Sequence, residues 1–235
     1  MPNKYVEFVS DECFKECVKM VCDTYEEIKN EKDQKKFFSR GIDVIKMIFD
    51  IGNVHREVSK WVEGEKTRQA DKTISNVIGD FHQKLLGSVK DWEDLRKGHA
   101  TGVDIRKKDD TIYMELKNKH NTTKGENKPD LFDKLERVAK QFTSARVYYA
   151  YIIPANGTSG ERRWTISGKS HERIWEAWGS RVYEIVTGDA NALKNTWKAL
   201  PVAINDVLSS NLTFNEDDKK KISNIFEYTL NRTKK

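Results

Sequence analysis

Residues 102–117 read Gly-Val-Asp-Ile-Arg-Lys-Lys-Asp-Asp-Thr-Ile-Tyr-Met-Glu-Leu-Lys, and place an acid in the middle of one short β-rich run and a Glu-Leu-Lys in the middle of the next. Strands that pack into a core rarely carry ionised groups at their centres, because each must be desolvated or paired. If Asp109-Asp110 forms a two-residue turn, Lys108 faces Thr111 and Asp104 falls opposite Glu115. Opposed residues point to one face with Cβ atoms about 4.5–5.5 Å apart, and Lys117, two positions on, joins them. The other face collects Val103, Ile105, Ile112, Met114 and Leu116. A slip of one residue would spoil both faces, so the apolar pattern itself selects this register. Asp-Asp is a weaker turn signal than Asn-Gly, which leaves the turn type open.

Two carboxylates this close repel when ionised unless a cation stands between them. Mg²⁺ suits such a place: it takes one or two carboxylates and completes its shell with water and phosphate oxygens. The backbone carbonyl of Leu116 is a natural further ligand beside Asp104 and Glu115. The ammonium of Lys117 can hold or help deprotonate the attacking water and offset charge growing on a phosphate. In outline this is a phosphodiester-hydrolysing site. The same three side chains would also form a solvent-facing ladder of cross-strand ion pairs; the two-faced register and the preceding Gly102 favour the site.

Other polar residues fall where DNA could meet them. Asn118, Lys119, His120 and Asn121 follow the Lys117 strand with amide, cationic and imidazole groups and no apolar anchor, and such groups can donate to base edges. His99 lies in a Gly-His-Ala-Thr-Gly loop leading to Asp104, within reach of a phosphate. Arg162, Arg163, Lys169 and Arg173 cluster around Trp164 as a candidate phosphate clamp, while Trp175, Trp178 and Trp197 recur on helical spacing and are expected in the core or a dimer contact. Cys13, Cys17 and Cys22 share one helical segment without the paired spacing of a zinc site, and are expected to be free, buried thiols.

The elements that must position these groups are mostly legible. Apolar residues at three- and four-residue steps predict helices over about Val6–Asn30, Asp33–Ile51 and Thr67–Leu86. The pattern then changes to strands at Ala100–Lys107, Thr111–Lys119, Arg146–Ile153, Trp164–Ser167 and Arg181–Val186, interrupted by a helix from Pro129 to Phe142. Helices near Asn191–Ser209 and Asn215–Arg232 follow. This predicts an α/β fold, a central mixed β-sheet flanked by helices, with an N-terminal helical region over residues 1–65 packed on a core over 66–235. The chain has 235 residues, 37% hydrophobic and 34% charged, enough apolar mass for a real core. The formal charge of +5 only nudges the expectation towards a polyanionic partner. No apolar run is long enough to span a membrane and the N-terminus lacks a signal peptide's apolar segment, so a cytoplasmic protein is expected.

Asp104 followed by Glu115-Leu116-Lys117 resembles the PD-(D/E)xK nuclease superfamily, with Val103 in place of the nominal proline. The surrounding His-Ala-Thr-Gly-Val-Asp-Ile, Glu-Leu-Lys-Asn-Lys-His-Asn-Thr and Asn-Val-Ile-Gly-Asp-Phe-His-Gln-Lys-Leu-Leu-Gly are similar to type II restriction endonucleases that cut interrupted palindromes of the GGNCC kind, over about Arg68 to Asn121. The resemblance implies a restriction-endonuclease-like core and a helix acid near the metal. Of the two acids on the third helix, Asp71 shares the inward side with Ile74, whereas Asp80 lies off the stripe. It further implies a Mg²⁺-dependent type II restriction endonuclease, acting as a homodimer on double-stranded DNA, with a DNA methyltransferase in the same system though not as a bound subunit. A repair nuclease or junction resolvase of the same fold, or a DNA-binding module without activity, are the alternatives.

Overall fold

The computed structural model describes residues 3–230 except 31–33, 56, 97 and 124. Eight α-helices and six strands are found among the described residues. Helix α1 (Asp11–Asn30) is followed by α2 (Gln34–Ser39), α3 (Val44–Asp50) and the 30-residue α4 (Val58–Gly87). Strands β1 (Trp92–Asp94), β2 (Ile105–Lys107) and β3 (Ile112–Lys119) come next, then α5 (Lys128–Gln141), β4 (Arg146–Ile153), β5 (Gly160–Ile166) and β6 (Lys169–Trp178). Helices α6 (Ser180–Thr187), α7 (Ala192–Leu208) and α8 (Glu216–Leu230) end the chain.

The strands form one mixed sheet of order β1-β2-β3-β4-β6-β5, with β3, β4 and β6 parallel and the outer strands antiparallel to their neighbours. Parallel strands at the centre of a sheet need cover on both faces. One face packs Ile105, Met114 and Leu116 against α1, α4, α6 and α7 through Phe14, Phe81, Leu85 and Tyr183. The other packs Tyr113, Val147, Tyr149 and Ile174 against Leu131, Phe132 and Leu135 of α5. Of the N-terminal helices α1 joins the first of these cores, α3 has no buried residue, and α4 runs unbroken through residues 65 and 66.

The expected hairpin register is present: Ile105 pairs with Met114 and Arg106 with Tyr113, which puts Asp104 opposite Glu115. The turn itself differs. It closes one residue earlier, with the Asp110 N–H on the Lys107 carbonyl at 3.0 Å and Asp110 at φ 59°. The strand expected from Ala100 is regular only from Ile105, because Gly102 adopts φ +67° and turns the chain. Val103 accordingly packs with Tyr113 and the α5 side, and not with Ile105.

Three further expectations are corrected. The helix expected over Asp33–Ile51 is broken, since Asp43 caps a new start by accepting the Lys46 N–H at 2.9 Å. Arg181–Val186, expected as a strand, is helix α6: Val182, Tyr183 and Val186 are all buried, a spacing of one helical face. The strand in that part of the chain is β6, which carries Trp175 and Trp178 and so removes them from any helix. Gly179 makes the switch from strand to helix. It holds φ +66°, and a Cβ there would collide with Ser159 Oγ. Trp197, on α7, does stack on Phe226 of α8.

Candidate active site

Glu115 and Lys117 lie on β3, on the face covered by α5, and Asp104 lies just before β2 beside them. Glu115 is 5% exposed. An ionised carboxylate so deeply buried must be paired, and both its oxygens are: Lys117 Nζ is 2.7 Å from Oε1 and Lys134 Nζ, from α5, is 2.6 Å from Oε2. Asp104 Oδ2 accepts the Leu116 N–H at 2.6 Å and stands 3.8 Å from Lys117 Nζ. An extended residue turns its N–H and C=O to the same edge of the strand, so the Leu116 carbonyl faces the edge on which Asp104 lies.

Burial, and then the charge of Glu115, push the Asp104 carboxyl up to about 6 against the pull of Lys117 and the Leu116 N–H. Burial opposes the charge of Lys117, but Glu115 and Asp104 outweigh it and hold its ammonium above the ordinary lysine value. Lys117 is therefore a cation at neutral pH. Two carboxylates and a carbonyl make a hard-oxygen donor set, and the residues present fit Mg²⁺ with water and phosphate oxygens completing the shell. Among the described residues no group of three His, Cys, Asp or Glu side chains stands ready for a metal.

That last fact bears on Asp71. Helix α4 reaches the hairpin through Gln83, whose amide donates to Asp94 Oδ1 at 2.8 Å and approaches the Asp104 carbonyl. Asp71 is exposed and twelve residues upstream of Gln83, about 18 Å along the helix. It is not brought to Asp104 and Glu115. Asp80, one turn before Gln83, is nearer along α4 than Asp71.

The remaining candidates separate by position. Lys119, the last residue of β3, and Asn121, two residues beyond it, are exposed. His120 donates its backbone N–H to the Ile153 carbonyl, and its Nδ1 is buried without a partner. Asn118 is 9% exposed on the opposite face from Glu115, where it lines an apolar cavity of about 680 Å³ with Val18, Phe81, Ile152 and Trp197. His99 shares a hydrogen bond with Thr101 Oγ1 in the loop before Gly102.

The basic cluster is dispersed. Arg162 lies in register with the acids, in a row that runs Glu115, Tyr149, Glu176, Arg162 across four strands, and it pairs with Glu176 at 2.8 Å. Arg163 alternates to the other face, above the Trp175 ring. Lys169 pairs with Asp133 at 2.6 Å, seven residues and about 23 Å along β6 from Glu176. Arg173 donates to the Phe142 carbonyl.

Sequence reasoning missed Lys134, Tyr149, Tyr151 and Glu176. Lys134 had a signal: it stands three residues from buried Leu131 and four from buried Val138, so it flanks the buried stripe of α5. Glu176 is 6% exposed and takes the Tyr151 hydroxyl at 3.1 Å. It could be placed only once β6 was recognised as a strand.

The profile of the Eco47II restriction endonuclease family matches residues 6–209. The chain is 35% identical over 216 residues to the type II restriction enzyme Sau96I of Staphylococcus aureus, covering 88% of this chain and 82% of that protein. It is 32% identical over 219 residues to the type II restriction enzyme Eco47II of Escherichia coli, covering 88% and 90%. The family match spans the hairpin and all six strands of the sheet, so the paired acids and their lysine lie within it. The chain belongs to the Eco47II family of type II restriction endonucleases.

Proposed function

We propose that the protein is a Mg²⁺-dependent endonuclease that cuts both strands of a short palindromic DNA site of the GGNCC kind. The observation that supports this most is the convergence of Asp104, Glu115 and Lys117 at one place on a central strand, with Glu115 buried and fully paired. Asp104, Glu115 and the Leu116 carbonyl would hold the metal. When bound, Mg²⁺ supplies polarisation of the scissile phosphate and acidification of a water.

The chain's own groups do the rest. Lys117, kept protonated by its two acids, donates to the attacking water and offsets negative charge that develops on the phosphate. Asp104 and Glu115 hold that ammonium in place. Ligands of α/β sheets approach the carboxyl ends of parallel strands, and Lys119, His120 and Asn121 lie at that end of β3. Lys119 and Asn121 read base edges, His120 and His99 line the approach, and Arg162 meets the phosphate backbone. A two-fold symmetric site is read by a two-fold symmetric protein, so the active species is a homodimer. It works in the cytoplasm beside a DNA methyltransferase that shields the same site. No helix among the described residues is long and apolar enough to cross a membrane.

Incubation of the purified protein with plasmid DNA and Mg²⁺ tests the proposal. Discrete fragments are expected. A smear, or cutting confined to branched substrates, would indicate a repair enzyme or resolvase, and intact but retarded DNA a binding module.

A further inference from the structure

Lys134 is a cation that the proposed hydrolysis does not use. Its ammonium lies 2.6 Å from Glu115 Oε2 and 2.8 Å from the Gly102 carbonyl, a carboxylate oxygen and a backbone carbonyl oxygen. Those are the donors a small hard cation takes. Two carboxylates, Asp104 and Glu115, face two ammonium groups, Lys117 and Lys134, so the four side chains together are neutral. A divalent ion added to that set meets two positive charges within a few ångströms, and one of them must yield.

Lys117 is the less able to yield, being shared between both acids from its place on β3. Lys134 touches only one of them, and reaches it from the flank of α5 on a flexible four-carbon stem that can withdraw to solvent. The stem passes Gly102 at ordinary contact distance, an ideal Cβ there standing 3.4 Å from Lys134 Cδ.

We propose that Lys134 is an internal counter-cation of the active site: it occupies the place between Glu115 and Gly102 while no metal is bound, and competes with the divalent ion for Glu115. This rests on the metal-site reading above. Lys134 is a positioning residue whose removal strengthens metal binding and weakens the metal-free fold.

The test is a titration of the purified protein with Mn²⁺ near neutral pH, with free Mn²⁺ counted by electron paramagnetic resonance, alongside thermal melts with and without Mn²⁺. Lys134→Met is expected to bind Mn²⁺ at least about tenfold more tightly than wild type, since a repelling unit charge has gone. It should melt lower than wild type without metal, and the gap should narrow in saturating Mn²⁺. Lys134→Arg keeps the charge and is expected to bind like wild type. Glu115→Gln, run in parallel, should lose Mn²⁺ binding. If Glu115→Gln binds as wild type does, or wild type binds nothing, the metal site itself is misread and the inference falls with it. If Glu115→Gln loses binding while Lys134→Met binds no more tightly than wild type, or its melting gap persists unchanged in Mn²⁺, Lys134 is a structural tie between α5 and the hairpin and the inference alone is overturned.

Discussion

Asp104 is the residue whose chemistry is most sensitive to its surroundings. Its carboxyl is raised from 3.8 to about 6 by burial and by Glu115, so the folded state holds a proton that the unfolded chain has released between those values. The contribution of Asp104 to the stability of the metal-free protein therefore falls as pH rises from about 4 to about 6. Metal binding has the opposite dependence, because the proton competes with the ion, and Mn²⁺ affinity should drop as pH falls through about 6. Urea unfolding and Mn²⁺ titration across pH 4–8 check both signs, and Asp104→Asn should flatten both profiles. Lys117 has a separable role. With Ca²⁺, which accepts a looser shell, Lys117→Ala is expected to retain sequence-specific DNA binding in a mobility-shift assay. In Mg²⁺ it should lose turnover by at least about a hundredfold. Equal loss of binding and cutting would count against that role.

The elements show why some of the site was legible in the sequence and some was not. The hairpin could be read because its two faces differ in polarity, and a period of two with Ile105, Met114 and Leu116 on one side permits one register only. Helix α4 begins earlier than its periodicity predicts, since Val58–Lys66 has few apolar residues, and an inward stripe does not say where along 30 residues the helix meets the sheet. Contact through Gln83 decides that. Strand β6 opens Lys-Ser-His-Glu-Arg and carries no β-branched run, whereas α6, Ser-Arg-Val-Tyr-Glu-Ile-Val-Thr, is rich in β-formers. Propensity favoured the wrong one, and the tertiary demand for a strand between β4 and β5 overrode it. Lys134 depended on that same assembly, because the partner it holds is 19 residues away. At this scale the separation of the DNA contacts is a prediction. Lys119→Ala and Asn121→Ala, at the carboxyl end of β3, should each cost about 1–3 kcal/mol of discrimination at one position of the site. Arg162→Ala should weaken cognate and random duplexes alike and reduce the salt slope by about one. Binding isotherms on cognate, mismatched and random DNA at several salt concentrations separate the two behaviours.

For the whole molecule, cutting both strands of a palindrome needs two copies of the site, and the chain supplies one pair of opposed acids. Sedimentation should give a species of twice the 27.3 kDa chain mass, and a monomer at the concentrations that cut DNA would remove the two-fold reading. The central claim is that Asp104 and Glu115, opposed across the hairpin, are where a divalent ion and the scissile phosphate meet. Digestion of a plasmid by wild type, Asp104→Ala and Glu115→Ala, each with Mg²⁺ and with excess chelator, tests it most directly, provided circular dichroism shows all three folded. Discrete fragments from wild type in Mg²⁺ alone, with intact plasmid in every other lane, are the expected result. Fragments from either variant at near wild-type rate, or from wild type in chelator, would contradict it.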